Sequence, residues 1–244
     1  MTSNLQRCGP VVLGVLAACH ETYDSGPSPP SSEAQGLWWG TLTTAGGGSS
    51  QACLIVTPYG DAFWMTVDAT GTPVANTELQ GSLATEAGVV SGALYRSSPL
   101  GLVAVDVTGT VDERWSLELG FAGGGLYDGA SASLFFDPIY ETDSRVRHVE
   151  GAWSRGGLAL SISSDGAING VDGSGGTYSG TIFTPWTKVD VYRVDVVASH
   201  PADPWPYHYQ GVATLLADGS LLLTCEGFAS WLSPARYWSP RLFR

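Results

Sequence analysis

The chain has 244 residues, 43% of them hydrophobic and only 14% charged, with 32 glycines and 14 prolines. That is enough apolar material for a sizeable core, and few charges with many glycines argue against a helical protein. The 23 acidic and 11 basic side chains leave a formal charge of −12, which repels phosphate backbones and sets the chain against nucleic acid as a partner. The same charge argues against a polybasic grip on anionic lipid, so any membrane attachment needs another device.

The first segment supplies one. Met1 to Arg7 is polar with a single cation, Cys8 to Ala18 is small and apolar, and Leu16-Ala17-Ala18-Cys19 follows. A charged start, an apolar middle and small residues before a cut make a secretory signal, and the apolar run is too short for a bilayer core, which needs about 20 residues. Leu16-Ala17-Ala18-Cys19 resembles the lipobox of bacterial lipoproteins. The resemblance implies that residues 1–18 are removed and that Cys19 is lipidated with diacylglycerol and palmitate. It also implies a lipid bilayer as partner. His20, where such proteins carry Asp for inner-membrane retention, implies the outer membrane. Residues 20–35 hold three Pro, four Ser and almost no large apolar side chain, and read as a flexible linker.

From Gly36 onward the pattern is all-β. No window holds a clean 3.6-residue apolar period, and short alternating runs recur between Gly, Asp, Pro and Ser clusters. Fifteen strands are expected. Those of the first half run from Leu37–Thr43, Cys53–Thr57 and Ala62–Val67 to Ala130–Phe136. Those of the second run from Val149–Ser154 and Leu158–Ser163 to Tyr207–Leu215 and Ser220–Glu226. This spacing fits an antiparallel meander of barrels or sandwiches, with Asp165-Gly166 and Asp218-Gly219 as tight turns. Gly36-Leu37-Trp38 and Gly151-Ala152-Trp153 each open a hairpin, which predicts two related β units, 36–137 and 148–232, joined by the charged stretch from Asp137 to Arg147. Residues 233–244 read as a basic aromatic tail outside the barrel, because Pro234 and Pro240 cannot donate to a ladder.

The second half carries a resemblance of its own. Gly151-Ala152-Trp153, Leu158 to Gly166, Gly173 to Gly180, Val191 to Val194 and Tyr209 to Leu215 are similar to a group of small, uncharacterised bacterial lipoproteins with lipocalin-like β-barrel halves. The resemblance implies a fold and no particular activity. Members often carry Cys where this chain has Gly176 and near His200, which implies a disulfide that is missing here.

Once residues 1–18 are set aside, Cys53 and Cys225 remain beside Cys19. A disulfide between them would staple the two halves, and two buried free thiols are the alternative. No catalytic constellation stands out. Asp172-Gly173-Ser174-Gly175-Gly176 has the composition of a turn, and there is no Gly-x-Ser-x-Gly elbow, phosphate loop or cofactor fingerprint. His200, Asp203 and His208 match no closed zinc spacing, and Asp165 and Asp172 lack the repeat of a calcium β-roll.

The nine Trp are more informative. Trp38 and Trp39 must face opposite sides of a strand, and Trp205 stands between two prolines, so Trp38, Trp39 and Trp205 are the candidate ligand-contact aromatics. Two function classes follow. One is a membrane-anchored binding or structural module recognising a protein, a glycan or a small apolar ligand. The other is a carboxylate-based hydrolase acting on glycans, whose acids meet only in the fold.

Overall fold

Glycine-punctuated alternation produces strands and little else. The computed structural model describes residues 32–98, 101–203, 205–228 and 236–244, and the expected signal segment, Cys8, Cys19 and residues 20–31 of the expected linker lie outside these. Eight strands, β1 (Gly36–Thr43), β2 (Ser49–Val56), β3 (Asp61–Val67), β4 (Leu79–Glu86), β5 (Val89–Ser98), β6 (Gly101–Asp112), β7 (Ser116–Ala122) and β8 (Ser131–Phe136), form an antiparallel meander. It closes into a barrel where β8 pairs with β1, from Trp38 opposite Phe136 to Thr43 opposite Ser131. A 3-10 turn at Pro138–Glu141 and the one-turn helix α1 (Val146–Val149) lead to the second meander. That comprises β9 (Gly151–Arg155), β10 (Leu158–Ile162), β11 (Ala167–Val171), β12 (Thr177–Phe183), β13 (Tyr192–Ser199), β14 (Tyr207–Leu215), β15 (Leu221–Phe228), β16 (Arg236–Trp238) and β17 (Arg241–Leu242). The all-β expectation and the two barrel-like units hold.

The two units solve the same problems in the same way. Trp38 donates its indole N–H to the Ala34 carbonyl at 2.9 Å, and Trp153 donates to the Val149 carbonyl at 2.7 Å, each reaching four residues back across the barrel mouth. The turn after β2 and the turn after β10 each place a glycine at positive φ, Gly60 at 85° and Gly166 at 86°. Only glycine adopts that conformation without strain. The carbonyl of each then accepts from the strand two positions on, Leu83 N at 2.9 Å and Ile182 N at 2.8 Å. The interiors are filled with side chains: Trp38, Trp64, Phe121 and Tyr127 among Leu and Val in the first barrel, and Trp153, Ile168, Tyr192 and Leu223 in the second.

A third apolar cluster belongs to neither interior. Leu37, Cys53, Ile55, Phe63, Met65 and Val67 line the outer face of β1–β3, and pack with Val191, Val212, Leu216 and Leu222 around Tyr140. Cys53 to Val56 and Ala62 to Val67 are therefore buried on both faces, one turned into the barrel and one into this seam. Tyr140 ties the connection to it by donating to the Val56 carbonyl at 3.0 Å.

The structure corrects three expectations and decides one further point that the sequence left open. First, the last residues assigned to the linker are ordered on the barrel: Ala34 is fully buried, and Gly88 N donates to Glu33 at 2.8 Å. Second, between the two readings left open for Cys53 and Cys225, the structure has both thiols buried and free. Cys53 faces the seam and Cys225 the interior of the second barrel, so their strands turn the thiols in different directions, and burial pushes both thiols up. Third, Trp38 is a core residue, and Trp39 is half-buried against the seam.

The fourth concerns the tail, which adds strands to the second barrel. β16 and β17 both pair with β15, and Ser154 and Phe243 exchange two backbone hydrogen bonds that bring β17 to β9. Proline is no obstacle here, because Pro240 contributes only its carbonyl, accepting from Leu223 N at 3.0 Å. Arg241 then clamps across the barrels, donating to the Thr70 carbonyl at 2.7 Å and the Ser220 hydroxyl at 2.9 Å while pairing with Asp218. Arg244 caps α1 through the Glu150 carbonyl and lies 4.7 Å from the Trp153 ring centroid.

Two predictions follow from this packing. Leu242 is fully buried, so Leu242→Ala should cost about 2–5 kcal/mol and deleting residues 233–244 at least as much. Chemical denaturation measures it, and an unchanged midpoint after the deletion would show that the tail closes nothing. Asp190 is 2% exposed at the start of the β13 segment, and burial raises its carboxyl to about 6 despite hydrogen bonds from Leu215 N and Thr214. The folded protein holds that proton more tightly than the unfolded chain, so the contribution is full below about pH 4. It is lost as pH rises through about 6, by about 3 kcal/mol in all. The stability difference between the parent and Asp190→Asn should therefore shift in the variant's favour across that window, and a difference independent of pH would contradict it.

Candidate functional site

Trp38 and Trp39 lie on the first barrel, whereas Asp172, Ser174, His200 and Asp203, weighed and set aside in the sequence, meet at one end of the second. The turn between β11 and β12 and the loop between β13 and β14 meet there, around a recess of about 130 Å³ lined by Asp172, Tyr178, His200, Asp203, Tyr207 and Tyr209. Its floor is aromatic: Tyr178 stacks on Trp238 at 5.3 Å between ring centroids, and Tyr209 lies 5.7 Å from the same indole. Trp205 stands on the loop above, 65% exposed.

The structure also brings His200 to Ser174, a pairing that sequence spacing gave no reason to expect. His200 Nε2 lies 3.0 Å from the Ser174 hydroxyl, and Ser174 donates to Asp172 at 2.6 Å. Serine, histidine and aspartate in a chain invite a hydrolase reading, but the proton order runs the wrong way. Ala202 N donates to His200 Nδ1 at 3.1 Å, so in the neutral ring the hydrogen sits on Nε2 and is given to Ser174. A nucleophilic serine needs that nitrogen as an acceptor, with the acid behind the other one. Here the acid holds the serine itself.

Asp172 is a turn residue. Its carboxylate accepts from Ser174 N at 2.8 Å, Gly176 N at 2.9 Å and the Tyr178 hydroxyl at 2.9 Å, besides the Ser174 hydroxyl, and these bonds hold its carboxyl well below the usual range. The first barrel builds the same turn after β3, where Asp68 accepts from Thr70 N and Thr72 N, and its carboxyl is lowered to about 2. Asp165 and Asp218 serve their own hairpins through Ser163 and Ser220. A motif repeated at equivalent turns in both barrels is accounted for by local geometry. Among the described residues, no group of three His, Cys, Asp or Glu side chains is placed to hold a metal ion.

A larger groove lies elsewhere, on the outer wall of the second barrel beside the seam. It measures about 360 Å³ and is lined by Phe183, Pro185, Trp186, Arg193, Asp195 and Gln210. Arg193 bonds Asp61 of the first barrel at 2.6 Å and lies 5.5 Å from the Trp186 ring centroid, and Gln210 donates to Asp195 at 3.2 Å. Trp186 touches the seam and Tyr59, 5.7 Å away between centroids. Arg193 and Gln210 lie in two of the segments that carry the family resemblance, but nothing in the sequence marks them as a site. Only outward alternation along β13 and β14 places Arg193, Asp195 and Gln210 side by side.

The histidine geometry carries a direct consequence. A fluorophosphonate that labels activated serines should leave Ser174 unmodified, as read by peptide mass spectrometry, and stoichiometric labelling there would contradict the proton order described.

No protein-family model and no curated protein matches the chain. Among solved structures, it is similar to one described as a "putative outer membrane protein" from Bacteroides fragilis NCTC 9343. The two are 14% identical over 86% of this chain and 98% of that one, with a TM-score of 0.26. At that score the likeness carries no argument about fold or function.

Proposed function

We propose that the chain is an exported lipoprotein held at the outer membrane by acyl chains on Cys19, and that its double barrel is a non-enzymatic binding or structural module. The observation that carries the second part is the filling of both barrel interiors. Trp38, Trp64 and Tyr127 in one and Trp153 and Tyr192 in the other occupy the space a lipocalin-like pocket would need, so ligands meet the outer surface.

The carboxylates favour the same reading. A glycoside hydrolase needs one acid with a raised pKa beside a second acid. Asp68, Asp165, Asp172 and Asp218 are all lowered by their own turn hydrogen bonds. Asp190 and Glu78 are raised, but they are 2% and 5% exposed and belong to different barrels. The anchor rests on Leu16-Ala17-Ala18-Cys19 and on the Pro/Ser-rich composition of the stretch between Cys19 and β1. Exposed Trp205 and the half-buried Trp186 are surfaces for a protein or glycan ligand.

Cys19→Ser should abolish labelling by radioactive palmitate and shift the protein from the detergent phase to the aqueous phase. Equal labelling of variant and parent would overturn the anchor.

A further inference from the structure

The groove beside the seam has the lining of a sugar site. We infer that it binds a neutral carbohydrate, one sugar ring lying against Phe183 and its hydroxyls meeting Arg193, Asp195 and Gln210. This deepens the binding role proposed above and rests on it.

Size comes first. Small-molecule sites usually enclose 300–1,000 Å³, a range that the groove's 360 Å³ enters and the 130 Å³ recess does not. Charge then narrows the ligand. Arg193 is already neutralised by Asp61, and Asp195 adds a further negative charge, so a carboxylate or phosphate gains little. A wholly apolar ligand would strip water from three polar side chains and give nothing back.

A polyhydroxyl ligand fits what remains. Each hydroxyl donates and accepts, as the mixed lining requires. Asp195 accepts, the Arg193 Nε and Nη1 have donors without a protein partner among the described residues, and Gln210 offers its carbonyl oxygen. Phe183 is 43% exposed and gives a flat apolar face for the C–H side of a pyranose.

The full lipidated protein, in a detergent without a sugar headgroup, is titrated calorimetrically with neutral oligomers of glucose, galactose and N-acetylglucosamine, and with oligogalacturonate as the anionic counterpart. At least one neutral oligomer should bind saturably at millimolar concentration or below. Phe183→Ala and Gln210→Ala should each weaken it at least tenfold, whereas Trp115→Ala, at a 68% exposed position on the first barrel, should leave it unchanged. The inference is overturned by no saturable neutral sugar, by a preference for oligogalacturonate, or by binding that survives both groove substitutions. Palmitate labelling separates the two readings, since a labelled protein that binds no sugar overturns the groove alone, and an unlabelled one that binds overturns the anchor alone.

Discussion

The apolar seam between the barrels is the constraint from which the rest of the molecule follows. An isolated β-barrel has one buried face and one wet face, so its strands alternate. In this chain β2 and β3 are buried on both faces, and Leu222 and Val212 answer them from the second barrel. Exposing that surface would leave a large contiguous apolar patch, which soluble domains rarely tolerate. The connection is shaped to the seam as well. Tyr140 is buried in it, and the Asp190 amide donates to the Tyr140 carbonyl at 2.8 Å. Polar links reinforce its margins, Asp61 to Arg193 at one and Thr70 to Arg241 at another.

Within each barrel the solution is written twice. The indole of Trp38 or Trp153 reaches back four residues to a carbonyl, and a positive-φ glycine turns the following hairpin. An Asp-centred turn then opens the next connection, at Asp68 and at Asp172. The barrels differ in how they close. The first uses one continuous strand, β8, while the second uses β16 and β17 with Pro240 between them. The difference leaves the C-terminal residues free to serve a second purpose, since Arg241 reaches the turn of the first barrel from the strand that shuts the second.

Much of this was legible in the residues. Period-two runs separated by Asp-Gly and Gly-rich turns specify strands locally, and the paired Gly-x-Trp openings specified two units. The seam was also written there, in Cys53-Leu54-Ile55-Val56, Ala62-Phe63-Trp64-Met65 and Leu221-Leu222-Leu223, which are continuous rather than alternating apolar runs. The tail was misread because proline was judged by the donor it lacks, whereas β17 needed only an acceptor at that point. Adjacent Trp38 and Trp39 had to diverge, which left one of them for the surface, yet the barrel interior takes Trp38 and the seam half-buries Trp39. The groove was not legible in the sequence. Its residues are separated by up to 27 positions, from Phe183 to Gln210, and the pairing of β12 with β13 and of β13 with β14 assembles them.

If the seam governs the molecule, the barrels unfold together. Urea unfolding followed by tryptophan emission and by far-UV circular dichroism should give one coincident transition in the parent. Val212→Asp, which buries an unpaired charge in the seam, should split it into two. Two separate transitions in the parent, or a single unshifted one in the variant, would contradict the account.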